Sequence, residues 1–467
     1  MIPLSLAEVA ELTGGTLAGD PHVLVTGAAF VDSRAPEPGG LFVAVVGEHS
    51  DGHAYAEAAV AGGAAAVLGS RPTAVPTVVV DDPVVALGRL AHAVLERLPD
   101  TTVLALTGSQ GKTGTKDYLA QVLAAAGPTV ATRGNNNNEL GVPLTALRAT
   151  PDTRFLVLEM GARGVGHVGY LCEVAPPRVG AVLNIGTAHI GEFGNREAIA
   201  QAKGELVEAL PAEGVAVLNA DDDLTVAMRP RTRARVLLFG VEADVRWRDV
   251  ALDDLGRPEF DLGHDGRWSR VRLSQLGAHQ VLNATAAAAM ALAVGVDLDD
   301  VASALSGATA ASPWRMQPLQ REDGLLVVND AYNANPASMT AAVEALAAIG
   351  ERSGRRTVAV LGEMKELGDQ ARVGHLSVGA AVAGSGVELL VTVGPEADLI
   401  AEGARAVPSW GGVAITTAGR DDALLAVRNN VTADDVVLVK ASRGVALEHL
   451  VDGLLAVDER DEGASGR

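Results

Sequence analysis

Cysteine is almost missing from this chain: Cys172 stands alone among 467 residues. An intrachain disulfide is therefore excluded, which fits a reducing compartment. Aromatic residues are scarce at 3 %, so the apolar mass is Ala, Val and Leu. Positive charge is short: 37 Lys and Arg against 58 Asp and Glu leave a net charge of −21. A nucleic-acid partner wants a basic surface and is not expected, and an anionic membrane is disfavoured for the same reason. Long apolar runs are lacking too, the longest, around residues 286–296, being too short to span a bilayer. Met1-Ile2-Pro3-Leu4-Ser5 has no basic region leading into an apolar stretch, so no secretory signal is expected. The composition reads as a soluble cytoplasmic protein, and a monomer is expected.

What is present is a globular composition, 48 % hydrophobic and 20 % charged. The length suggests about three domains of roughly 100–200 residues. Residues 1–98 read as a small α/β unit, with strand-like runs at 41–45 and 77–80 and a helix at 54–61. Residues 99–312 alternate apolar runs (103–106, 155–158, 179–183, 215–218) with helical patterns such as 115–126 and 198–210. Residues 313–457 repeat the alternation, with strands at 325–328, 357–361, 389–393 and 436–439, and residues 458–467 read as a loose polar tail. Such alternation predicts parallel sheets with covered faces. Ligands then bind beyond the carboxyl ends of the strands.

One of those ends carries Thr107-Gly108-Ser109-Gln110-Gly111-Lys112-Thr113, between an apolar strand and a helical pattern. Backbone N–H groups converging at a helix start make an anion site. Lys112 would reach terminal phosphates and the Thr113 hydroxyl would bind Mg²⁺. The spacing departs from the general phosphate loop, because Leu106 stands where that pattern has its first Gly. The bland alternative is a Gly-rich turn with an exposed lysine.

Glu159 ends the next strand, where a buried carboxylate is costly unless paired or metal-bound. Mg²⁺, which takes few protein ligands, is the natural partner beside a phosphate loop. His189 lies on another strand-end loop and could point into the same crevice, although a lone histidine is more often structural or solvent-facing. Lys203, on pattern alone, is a solvated helix lysine. The run Asp221-Asp222-Asp223 reads as a solvated turn, Cys172 as an inert thiol, and the stretch around Trp247 and Trp268 as a surface hairpin.

These residues together resemble the Mur ligases, a family to which folylpolyglutamate synthetase is related. The similarity lies in the short nucleotide loop 107–113, in Glu159-Met160-Gly161-Ala162, in segment 184–193 and in Ala202-Lys203-Gly204-Glu205. Further motifs resemble the branch of the family that adds D-alanyl-D-alanine. They are Asp330-Ala331-Tyr332-Asn333-Ala334-Asn335-Pro336, Leu361-Gly362-Glu363-Met364-Lys365-Glu366-Leu367-Gly368 with His375 after it, and the Asn-rich run 134–143. Asp32-Ser33-Arg34 and Asp51-Gly52-His53 are similar to the UDP-sugar domain of that branch, and the Asp-Asn-Pro-Arg run of the diaminopimelate-adding relatives is absent.

The resemblance implies three domains: a UDP-binding domain (1–98), a central ATPase domain (99–312) and a Rossmann-like domain (313–457). It implies ATP as a substrate, Mg²⁺ at two sites, a UDP-N-acetylmuramoyl-tripeptide and D-alanyl-D-alanine. By resemblance, Gly108, Ser109, Gln110, Gly111, Lys112, Thr113 and Gly114 hold the phosphates, and Asn283 touches the base. Arg315, Asp330 and Asn333 approach the nucleotide. Thr113, Glu159, His189 and Lys203 form the metal site, with Lys203 carried as a carbamate. Ser33, Arg34, Asn137 and Asn138 face the UDP substrate, and Lys440, Ser442 and Arg443 the dipeptide. The chain departs from the family at Asn136, where an apolar residue is usual, at Gln280 for Asn, at Gly114 for a hydroxyl residue and at Ala441 for Gly. A sister amide ligase, a phosphate-loop ATPase coupling hydrolysis to motion, and a nucleotide-sugar-binding module are the competing readings.

Overall fold

A computed structural model describes residues 1–47, 50–186, 193, 195–365 and 367–456. They divide into two compact units, the first made of Met1–Gly186, Asn195–Arg246 and Thr285–Ala304, the second chiefly of Trp247–Ala284 and Leu305–Arg467.

The first unit holds two sheets. The N-terminal sheet comprises β1 (Thr16–Ala18), β2 (Ala29–Phe30), β3 (Leu41–Ala44), β4 (Ala66–Gly69) and β5 (Thr77–Val79), in the order β1-β5-β4-β3-β2. Strands β2 to β5 pair in parallel and β1 closes the edge antiparallel to β5. Helices α1 (Leu6–Thr13), α2 (Ala56–Ala61) and α3 (Pro83–Glu96) accompany it. Asp82 caps α3 by accepting from Val84 N and Val85 N, with Pro83 opening the first turn.

Six strands of the central sheet are parallel, in the order β11-β10-β9-β6-β8-β7. In chain order its elements are β6 (Thr102–Thr107), α4 (Lys112–Ala126), β7 (Thr129–Ala131), α5 (Gly141–Ala146), β8 (Phe155–Glu159), α6 (His167–Val174), β9 (Val179–Val182), α7 (Arg196–Glu208), β10 (Val215–Asn219), α8 (Asp223–Val226) and β11 (Arg235–Phe239). Strands β8, β9 and β10 are buried along their whole length, as a sheet covered on both faces requires. The N-terminal and central stretches fall in one unit because α3 packs against α5 and α6.

In the second unit a hairpin, β12 (Pro258–His264) with β13 (Arg267–Arg272), lies where a surface hairpin is expected. The main sheet has the order β14-β15-β19-β16-β17-β18. Its elements are β14 (Gln317–Gln320), β15 (Leu326–Asp330), α9 (Pro336–Ser353), β16 (Arg356–Gly362), α10 (Ala371–Gly384), β17 (Leu389–Val393), α11 (Asp398–Arg405), β18 (Val413–Thr417), α12 (Arg420–Arg428), β19 (Asp435–Lys440) and α13 (Glu448–Leu455). All pairings are parallel except β14 with β15. Two apolar layers cover its faces, one around Leu346, Ile349 and Leu438, the other around Val360, Val391 and Leu450. Among the described residues no helix is long and apolar enough to cross a membrane.

Candidate active site

In the first unit the phosphate loop fills the gap between β6 and α4. Gly111 precedes α4 with φ +78°, a left-handed conformation that suits glycine. Asn184, just past β9, staples the loop in place. Its side chain accepts from Gln110 N (2.9 Å) and donates to Gln110 O (3.2 Å), while its backbone oxygen accepts from Ser109 N (3.1 Å). Ser109 Oγ accepts from Gly186 N at 2.9 Å. Lys112 curls back over the loop, its Nζ donating to Gly108 O at 2.8 Å. Thr113 is buried beside it, and Gly114 sits in the first turn of α4.

Glu159 ends β8 in register with Leu106 of β6, so its carboxylate stands beside the start of the loop. It is 1 % exposed. Asn137 Nδ2 donates to Oε1 at 2.7 Å, and Thr132 Oγ1 accepts from Glu159 N at 3.0 Å. Oε2 is buried with no hydrogen-bond partner among the described residues. Asn137, expected at the UDP substrate, thus touches the carboxylate expected at the metal. Neighbouring Asn138 accepts from Gly141 N at 2.9 Å.

Lys203 corrects the pattern-based reading of a solvated lysine, for it is 3 % exposed on α7. Burial holds its amine well below the usual lysine range, and the charge of Lys112 lowers it further. No hydrogen bond or ion pair from its Nζ occurs among the described residues. Its motif neighbours do other work. A Cβ on Gly204 would stand 1.9 Å from Arg231 Nη1. Arg231 spans the helix there, donating to Ala200 O (3.1 Å) and Gln201 O (2.9 Å) and pairing with Glu208 (2.9 Å). Glu205 accepts from Gly166 N (2.5 Å) and Gly169 N (2.9 Å), capping α6. His189 lies outside the described residues.

Asp222 corrects the reading of a solvated acidic turn. It caps α8 and its second oxygen accepts from Ile185 N at 2.7 Å, tying β10 to the loop after β9. In the N-terminal sheet region, Ser33 and Arg34 are accessible. Arg34 hydrogen-bonds Asp32 at 2.8 Å and holds that carboxyl down at about 2. His53 is buried, with Nδ1 2.6 Å from Asp51 and Nε2 accepting from Ser70 N at 2.9 Å.

The remaining predicted positions gather in the second unit. Asp330 and Lys440, at the adjacent ends of β15 and β19, form a buried ion pair at 2.6 Å. Lys440 Nζ also donates to Asn333 O (2.8 Å), and Asp330 Oδ1 accepts from Met316 N (3.1 Å). Asn333 Oδ1 accepts from Ala334 N at 2.9 Å. Ser442 Oγ accepts from Lys365 N (2.9 Å). Arg315 stacks on Tyr332 at 3.9 Å and Arg443 on Trp314 at 4.2 Å. Asn283 donates to the Gln280 side chain at 3.1 Å, so the Gln280 departure supplies a partner. His375 is wholly buried, its Nε2 accepting from Met364 N (3.0 Å) and its Nδ1 2.7 Å from Ala371 O. It braces the loop that follows β16.

Residues 29–97 match the Mur ligase family catalytic domain, 106–291 the Mur ligase middle domain, and 314–443 the glutamate ligase domain. A UDP-N-acetylmuramoyl-tripeptide–D-alanyl-D-alanine ligase of Mycobacterium bovis is 45 % identical, over 98 % of this chain and 99 % of the relative. The enzyme of that name from Escherichia coli is 36 % identical over 97 % of this chain and 99 % of its own length. Among solved structures, MurF from Acinetobacter baumannii superposes with a TM-score of 0.87 at 34 % identity, covering 97 % of this chain and 99 % of the other. MurF ligase from Thermotoga maritima, in complex with ADP, gives a TM-score of 0.78 at 30 % identity over 92 % and 97 %. The chain belongs to the Mur ligase family.

Proposed function

We propose that this protein is the ATP-dependent ligase that joins D-alanyl-D-alanine to the terminal carboxylate of a UDP-N-acetylmuramoyl-tripeptide in the cytoplasm. The observation that carries the chemistry is the buried Glu159 carboxylate, with one oxygen unpartnered among the described residues, in register with the start of a phosphate loop. The full-length likeness to enzymes named for this substrate pair carries the specificity.

A carboxylate does not react with an amine directly, because its leaving group would be oxide. In the proposed reaction the tripeptide carboxylate attacks the γ-phosphorus of ATP, and the bond to the ADP oxygen breaks. The amine of the dipeptide then attacks the acyl carbon, the amide forms, phosphate leaves and the amine loses a proton. The loop amides and Lys112 cradle the phosphates and stabilise charge on the transferring group. Gln110 and Ser109, pinned by Asn184, keep those amides aimed before substrate arrives.

The residues fit Mg²⁺. Among the described residues no cluster of three or more His, Cys, Asp or Glu side chains forms a cage, and Mg²⁺ is usually held by one or two carboxylates with substrate phosphates. Glu159 Oε2 and Thr113 would hold it, and it would neutralise phosphate charge. Lys203 fits the carbamate of the family: burial favours its neutral amine, the form that adds CO₂ with release of a proton, and the product is an oxygen ligand.

The test is phosphate release from ATP and Mg²⁺ with each substrate singly and both together. Release that needs both, with the pentapeptide seen by mass spectrometry, is expected. Release without either would replace the ligase with an ATPase, and release with a different amino acid would move the assignment to a sister ligase.

A further inference from the structure

The acceptor dipeptide carries a terminal carboxylate that must be told apart from other ends. Three polar side chains follow one another at the end of β19, and two are already committed. Lys440 gives two of its three donors to Asp330 and Asn333 O. Ser442 is engaged by Lys365 N and Ala334 O. Arg443 differs, with its side chain 53 % exposed.

Its guanidinium is nevertheless fixed on two sides. Nη1 donates to Glu448 Oε1 at 2.6 Å, and the group lies over the Trp314 ring at 4.2 Å. Its Nε and Nη2 make no hydrogen bond among the described residues. A planar fork pinned by one corner and one face, with the Nε/Nη2 edge open, is shaped for bidentate carboxylate binding.

Both clamping residues are held in unfavourable states. The Glu448 side chain is 8 % exposed, and its Oε2 is buried without a partner among the described residues. A buried carboxylate with one oxygen unsatisfied is weak as a stabilising device. Trp314 has φ +59°, a conformation that bulky residues rarely adopt. Strain of this kind persists where the surroundings impose it, commonly beside functional groups.

We propose that Trp314 and Glu448 are positioning residues that fix the Arg443 guanidinium, so that its open edge selects acceptors with a free carboxylate. This rests on the reading that Arg443 faces the dipeptide.

The test compares D-alanyl-D-alanine with its C-terminal amide, as kcat/KM, in the full-length enzyme with saturating ATP and tripeptide substrate. The unsubstituted enzyme should prefer the acid by about a hundredfold, the scale of a charge-assisted pair. Arg443→Ala should erase the preference. Trp314→Leu and Glu448→Gln should each raise KM for the acid about tenfold and lower the preference by the same factor, with the KM for ATP and for the amide unmoved. Trp314→Phe, which keeps a ring under the guanidinium, should retain most of the preference. Equal acid-to-amide ratios in the unsubstituted enzyme and Arg443→Ala would remove the role of Arg443 and the proposal with it. Loss of preference in Arg443→Ala, with full preference kept in Trp314→Leu and Glu448→Gln, would leave Arg443 in place and overturn the clamp. So would a uniform fall for both acceptors, since a merely structural role does not discriminate between them.

Discussion

The two units treat charge in opposite ways. At the phosphate loop of the first, charges are left open. Among the described residues Glu159 keeps one oxygen unpartnered, and the charge that bears on Lys203 is the like charge of Lys112. At the strand ends of the second, charges of opposite sign are paired: Lys440 with Asp330 in a buried bridge, and Arg443 with Glu448 through one corner of the guanidinium. The proposed ligands would explain the difference. A nucleotide and a divalent cation bring large charges of both signs, so the first site would be electrostatically complete only when filled. A zwitterionic dipeptide brings little net charge, so the second site would need only one open guanidinium edge and could hold its other charges paired beforehand.

The sharpest way to break this contrast is to open a closed pair. Asp330→Ala should leave the Lys440 ammonium buried and unpaired, at a cost of about 3–5 kcal/mol in stability. Denaturant unfolding reads it, and Lys440→Met on the same background should recover much of the loss. Next comes Lys112→Ala, expected to lower kcat about 10²–10³-fold with unchanged circular dichroism; full turnover would sink the proposed reaction. Glu159→Gln should lower kcat about a hundredfold, yet leave the protein at least as stable. It keeps the acceptor for Asn137 while removing a buried charge. A clear loss of stability would mean that Glu159 is a structural acid.

The smallest effect concerns Lys203 in CO₂-free buffer. Its folded-state pKa is lowered, so the unfolded chain binds the extra proton more readily and stability rises with pH. The cost is full below the depressed value and fades as pH climbs to the unfolded value of about 10.4. Lys203→Met should therefore melt higher than the unsubstituted chain near neutral pH. One kcal/mol corresponds to roughly 2–4 °C at this domain size. The gap should close above about pH 10.4, and a gap independent of pH would contradict the buried, uncompensated amine.

Local features were legible in the sequence because they repeat locally. Apolar runs of strand length lie at β8, β10 and β17, and Lys112 opens the helix after β6 while Glu159 ends β8, where the alternation puts them. What was not legible depends on partners far along the chain. Nothing in the spacing of Asp221-Asp222-Asp223 shows that Ile185 N comes to Asp222, nor that Asn137 reaches Glu159. Lys203 looks solvated by periodicity, since one polar residue on a helix carries no mark of burial. Trp314 stands out only once its φ and the Arg443 stack are seen. Only the family likeness raised Lys203 and Arg443 above their neighbours, and it left Glu448 and Arg231 unmarked.

The contact between Gly204 and Arg231 has a consequence for how such chains diverge. The guanidinium occupies the volume a side chain at 204 would need. Among descendants of this sequence the two positions should therefore drift together: an alanine at 204 displaces the Arg231 guanidinium from Ala200 O and Gln201 O, a loss that a lineage with a shorter residue 231 does not meet.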